Sequence, residues 1–243
     1  MKYYQIKHSL QKKDFGNSYP QSQDSINNTD VLLWEEPRHI NNWFGKKINF
    51  EPILSYPILN KKARVTDLIN SVIYSSSLVI SSKLKSILEK YTEEGVQYFK
   101  NTILHNDKEY TDYWLLHPYQ FNHEYIDFQN SIIDYKKKAD DYKVSYKTNL
   151  ILLSVNTISE FEEYLEMARK KLEVITIQKL FLKEDIINKD FFVLRYAFGG
   201  MFFVSEKLKQ EIENAGCTGI EFKPNYLSYV EWRTEREKIY GKI

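Results

Sequence analysis

Two segments of the chain match one another without a gap: VISSKLKSILEKYTEEGVQYF from Val79 and FVSEKLKQEIENAGCTGIEFK from Phe203. Ser81 aligns with Ser205, Lys83 with Lys207, Leu84 with Leu208, Lys85 with Lys209, Glu89 with Glu213 and Gly95 with Gly219, at a constant separation of 205 − 81 = 124 residues. Such a repeat constrains the fold strongly, because both copies must bury the same stripe. In the first, Leu78, Val79 and Ile80 read as a short strand. Ser81 or Ser82 can cap a helix, and Leu84, Ile87, Leu88 and Tyr91 follow at helical spacing. Gly95 then resets the chain, and Val96, Tyr98 and Phe99 begin another strand. In the second, Phe202, Phe203 and Val204 form the strand, Ser205 the cap and Leu208, Ile212 and Ala215 the stripe. Gly216 and Gly219 make the exit and Ile220 and Phe222 the next strand. Each copy predicts a strand, a capped amphipathic helix of about three turns and a returning strand laid against a sheet. Upstream of the copies the two segments diverge.

The rest of the chain reads around these units. KYYQIKHS predicts a first strand, and KDFGNSYPQSQDSINNTD, polar and rich in turn formers, predicts a loop. Residues 31 to 60 hold Pro37, Pro52 and Pro57 and predict irregular structure with short extended pieces. VTDLINSVIY predicts a short helix, and SYKTNLILLSVN a strand. Ser159 with Glu162 fits a capping box ahead of Phe161, Tyr164, Leu165, Ala168 and Leu172. FFVLRYAF, Gly199-Gly200 and MFFVS predict a β-hairpin with a tight glycine turn. YLSYVEWRTEREKIYGKI predicts a final helix with Tyr229, Trp232, Ile239 and Tyr240 near one stripe. The expected fold is α+β: one domain over residues 1–243, mostly antiparallel sheet with amphipathic helices on one side, irregular over 1–60.

Several classes of function fall away. No run of about 18 apolar residues exists to span a bilayer. The opening MKYYQIKHSLQKKD lacks the pattern of a secretory signal, and the single Cys217 cannot form an internal disulfide; both predict a cytoplasmic protein. A formal net charge of +1, with both signs interleaved, gives no general attraction to nucleic acid.

Candidate chemical sites are sparse. Cys217 follows a helix C-terminus, where the macrodipole disfavours a thiolate, and reads as a small packing residue. His117 and His123, with Asp112, Glu124 and Asp127 nearby, could form a metal site, and His117, His123 and Asp127 a catalytic cluster, only if the fold united them, since the spacing matches no compact zinc pattern. Gly199-Gly200 lacks a phosphate-loop context, and no G-x-S-x-G elbow is present. No catalytic residue, cofactor or metal is assigned. Trp34, Trp43 and Phe44, in LLWEEPRHINNWFG, combine large aromatics with charge and loop formers, the mixture found in interface anchors, although core burial explains each of them too.

Taken in order, VTDLI, LVISSKLKSILEK, GVQYF, YWLLHPYQFNHEYIDFQNS and FFVLRYAFGGMFFVSEKLKQEIENAGCTGIEF with Lys223-Pro224 resemble the immunity proteins of bacterial polymorphic toxin systems. The branch is one first catalogued as a domain of unknown function and grouped with a myxobacterial immunity protein. The resemblance covers residues 65 to 224. It implies a cytoplasmic antidote that binds and blocks a cognate toxin without chemistry of its own. An enzyme of unrecognised type, and an adaptor with a different protein partner, are the alternatives; oligomeric state is left open.

Overall fold

The computed structural model describes residues 2–138, 148–198 and 200–241. Its elements are β1 (Tyr3–His8), α1 (Lys12–Phe15), β2 (Ser22–Asn27), β3 (Ser55–Leu59), β4 (Leu68–Ile69), β5 (Leu78–Ser81), α2 (Ser82–Glu89), β6 (Val96–His105), β7 (Lys108–Pro118), β8 (Ile132–Lys138), β9 (Thr148–Leu153), α3 (Ile158–Lys170), β10 (Val174–Lys179), β11 (Phe191–Val193), β12 (Phe202–Ser205), α4 (Glu206–Asn214), β13 (Ile220–Pro224) and α5 (Tyr229–Tyr240). The strands form sheets ordered β2-β3-β6-β7-β5-β4, β11-β12-β1-β13 and β10-β8-β9. The fold is α+β, and among the described residues the β3–β6 strand pair is parallel and the other strand pairs are antiparallel.

The repeat is larger than its sequence match. In both copies the returning strand does not pair with the first strand; a third strand lies between them. In the first copy this is β7, in the order β4-β5-β7-β6, and in the second it is β1, in the order β11-β12-β1-β13. The registers correspond. Ser81 faces Tyr113 as Ser205 faces Tyr3, which relates the inserted strands by 113 − 3 = 110 residues. With that offset, Trp114↔Lys100, Leu116↔Tyr98, His117↔Gln97 and Pro118↔Val96 map onto Tyr4↔Pro224, Ile6↔Phe222, Lys7↔Glu221 and His8↔Ile220. Even the exits agree: the Tyr119 amide donates to the Gly95 carbonyl and the Ser9 amide to the Gly219 carbonyl, both at 2.9 Å. The molecule therefore contains two equivalent four-stranded units, and in the second the inserted strand comes from the other end of the sequence.

Each unit also reaches upstream of the matched sequence. The Ser81 hydroxyl caps α2 by accepting from the Leu84 amide at 3.2 Å and donates to Asp67 at 2.6 Å. Ser205 likewise caps α4 through the Leu208 amide at 3.2 Å and donates to Asp190. Lys83 and Lys207 sit beside those carboxylates. Asp67 and Asp190 introduce β4 and β11, whose hairpins match (Leu68↔Ile80 and Phe191↔Val204). Residues 65–74 thus hold a strand, where a short helix was expected, because Leu68 and Ile69 complete a hairpin with β5 that buries both.

Alternation along the strands sorts side chains into three cores. A central core lies between the units and holds the helical stripes, Leu84 and Leu88 against Leu208 and Ile212, with Ile80, Val204, Ile6 and Leu116. Fully burying each such side chain contributes about 2 kcal/mol. The outer face of the first unit, with Val79, Tyr113 and Leu115, is covered by Ile40, Ile48, Leu54 and Leu59. The outer face of the second, with Tyr3, Phe192 and Phe203, is covered by Phe161 of α3 and by residues of 125–187.

Other local expectations shift. The polar stretch after β1 contains α1 and the edge strand β2, because β3 offers a pairing partner. Helix α3 starts under Thr157, whose hydroxyl accepts from the Glu160 amide, two residues before the expected Ser159; Leu172, at φ +55°, lies beyond its end and is exposed. Strands β11 and β12 do pair, but through a loop over 194–201 closed by Leu194 and Met201 at 2.8 Å, not a tight turn; Gly199 lies outside the described residues. Helix α5 buries Trp232 of the expected stripe, with Tyr229 against it, but leaves Ile239 70% exposed, because its last turns are anchored by an ion pair of Arg236 and not by aromatic residues. Arg236 donates twice to Glu221, at 2.6 and 2.9 Å.

Candidate partner-binding surface

The aromatic-rich segment chosen from the sequence runs beside residues 51–54, which lead into β3, with a bridge between His39 and Ile53. Its backbone is held by side chains. Asn28 donates to the Leu54 carbonyl at 2.7 Å, and Asn42 donates to the carbonyls of Leu33 and Glu36, each at 2.8 Å. Beneath it His39 is buried: its Nδ1 accepts from the Asn41 amide, so its Nε2 donates to the Ser55 hydroxyl at 3.1 Å, which donates on to Asn27. Burial holds the His39 imidazole below its ordinary pKa against the pull of Glu36. It is a structural pin.

The three aromatics take different places on this scaffold. Trp43 is half-buried, donates to the Pro37 carbonyl at 2.7 Å and meets Phe50 edge-on at 5.0 Å. Phe44 is half-buried against Phe121, with the Arg195 guanidinium over its ring at 5.5 Å. Trp34 is 72% exposed, and Val31 and Leu32 just before it in the chain and Ile26 on β2 are exposed as well. An exposed aromatic among exposed aliphatics on a pinned loop is the arrangement of a preorganised anchor. Asp24, Asp30, Glu35 and Glu36 flank these residues, and between positions 24 and 36 the sequence has no Lys or Arg. The sequence reading missed Ile26, Val31 and Leu32, although three apolar residues inside a polar loop were a visible signal.

The histidines are separately engaged. His117 is buried at the end of β7, with Nε2 at 3.1 Å from the Lys46 carbonyl. His123 stacks between Phe121 and Tyr196, at 5.7 and 4.8 Å. Asp127 accepts from the amide and side chain of Asn130. Among the described residues no group of three His, Cys, Asp or Glu side chains is placed to hold a metal ion. Burial pushes the Cys217 thiol up to about 11, the reverse of an activated nucleophile. No helix among the described residues is long and apolar enough to cross a membrane.

No curated protein matches the chain. A family model does, over residues 2–226, a span that includes both units and the Trp34 loop and ends ahead of α5. The chain belongs to the immunity protein family (Imm11).

Proposed function

We propose that the chain is a cytoplasmic antidote that binds the toxin domain of a bacterial polymorphic toxin system and blocks it by covering its surface, with no catalysis of its own. Family membership supports the immunity role. Exposure of Trp34 on a loop held by Asn28, Asn42 and His39 carries the choice of surface. In this reading Trp34 inserts into the toxin, with Leu32 and Val31 packing around it and Trp43 and Phe44 stiffening the scaffold behind. The flanking acids favour a toxin surface with a basic rim, which speeds encounter and fixes orientation. An interface of about 800 Å² on each partner suffices.

The test is co-expression with the product of the neighbouring toxin gene, followed by a binding titration of the purified pair. The wild-type chain restores growth, and Trp34→Ala weakens binding by about 30-fold or more, the loss of a central aromatic anchor. Wild-type affinity in Trp34→Ala would move the interface elsewhere. Failure of the wild-type chain to bind that toxin would remove the antidote reading itself.

A further inference from the structure

Equivalent positions in the two units expose a site with no counterpart. In the first unit the outer face at the end of the inserted strand is filled by the chain itself. His117 meets the Lys46 carbonyl, and Gln97 exchanges hydrogen bonds of 2.7 Å with both the amide and the carbonyl of Ile48. In the second unit Glu221, at the position of Gln97, is committed to Arg236 of α5. Lys7, at the position of His117, lines an open cleft of about 470 Å³. That volume is in the range of small-molecule sites.

The chemistry of the cleft has one sign. Lys7 supplies an ammonium that lies 5.6 Å from the ring centre of Tyr229 and 5.9 Å from that of Trp232. Tyr19, Asn70 and Ser71 add hydroxyl and amide groups along the opposite wall, where Tyr74 contributes its ring because its hydroxyl donates to the Ser55 carbonyl, and no Asp or Glu is among the described residues lining it. We propose that this cleft binds a small organic anion, a carboxylate or phosphate monoester carrying a flat apolar body. Its charged end sits at Lys7, and its body lies between the rings of α5 and the apolar floor of Ile6, Leu78 and Phe202. The site lies outside the Trp34 loop and does not depend on the toxin-binding reading.

Calorimetric titration of the full chain with phenyl phosphate, benzoate and benzyl alcohol tests it. Phenyl phosphate or benzoate binds one to one with a Kd of about 1 mM or better, and benzyl alcohol at least tenfold more weakly. Lys7→Met, which removes a desolvated charge and leaves the fold intact by circular dichroism, lowers the anion affinity by at least tenfold. A second readout uses the unmodified protein: saturating phenyl phosphate slows reductive methylation of Lys7 and leaves that of Lys12 unchanged. Absence of anion binding, equal binding of benzyl alcohol, unaltered affinity in Lys7→Met, or methylation of Lys7 at its free rate would each overturn the proposal.

Discussion

The two four-stranded units agree on their inner faces and differ on their outer ones. Inward positions pair like with like: Leu84 with Leu208, Ile80 with Val204, Leu116 with Ile6. They share one core, so each must present the same apolar stripe. The outward positions read Leu115, His117, Gln97 and Phe99 in the first unit and Gln5, Lys7, Glu221 and Lys223 in the second. Each outer face is matched to its own cover. A neutral amide at 97 reads the backbone of residue 48, and a carboxylate at 221 reads the guanidinium of Arg236. The lesson is that a shared architecture leaves the solvent-side chemistry of a sheet free, and the segment laid over it decides what that chemistry must be.

The strongest way to break the comparison is to cut the two covers loose. The Arg236 and Glu221 side chains are 1% and 0% exposed, so Arg236→Met strands a buried carboxylate and costs about 3–5 kcal/mol, while adding Glu221→Gln recovers most of the loss. Gln97→Ala, its counterpart, removes hydrogen bonds without leaving a charge and costs about 1–3 kcal/mol. Urea unfolding of the variants measures the gap. Equal losses for Arg236→Met and Gln97→Ala would show that the covers are held alike.

A smaller contrast lies in the exit glycines. Both have positive φ, +93° at Gly95 and +80° at Gly219. A Cβ at Gly95 meets nothing nearer than 3.6 Å, but at Gly219 it would stand 2.4 Å from the Leu68 carbonyl oxygen and 2.6 Å from the Thr66 hydroxyl. Gly95→Ala therefore costs about 1 kcal/mol of backbone strain, and Gly219→Ala about 2–4 kcal/mol because it also pushes the units apart. Thermal melting should rank them in that order.

A pH-dependent effect sharpens the electrostatic difference. Pro118 cannot titrate, whereas His8, its equivalent, has its pKa lowered to about 4 by burial and then by Lys7. Above about pH 6.5 His8 is neutral in both states and the fold loses nothing. As pH falls from 6.5 toward 4, the unfolded chain takes up a proton that the fold refuses, and stability drops by about 1–2 kcal/mol, allowing for partial exposure of the ring. His8→Gln should flatten that window of the stability curve, and a curve unchanged by the substitution would contradict the burial cost.

Much of the repeated unit was legible. The serine caps, the helical stripes and the exit glycines are local devices, each set by interactions within a few residues, and both copies fold as their sequences read at Ser81, Ser205, Leu84 and Leu208. The exposed Trp34 could be named as a candidate but not separated from the half-buried Trp43, because exposure depends on what lies beneath a loop. The Lys7 cleft left no trace, since its walls come from β1, the β4–β5 loop, the β11–β12 loop and α5.

By itself the sequence determined the α+β class, the two capped helices and the family resemblance, all of which rest on local spacing or on residue order. Only the tertiary structure decided that β7 and β1 occupy the same place in the two units, that Asp67 and Asp190 anchor their caps, and that Glu221 meets Arg236. Strand pairing and ion pairing join residues far apart in the chain, and neither periodicity nor spacing along the sequence encodes which distant strand will supply the partner.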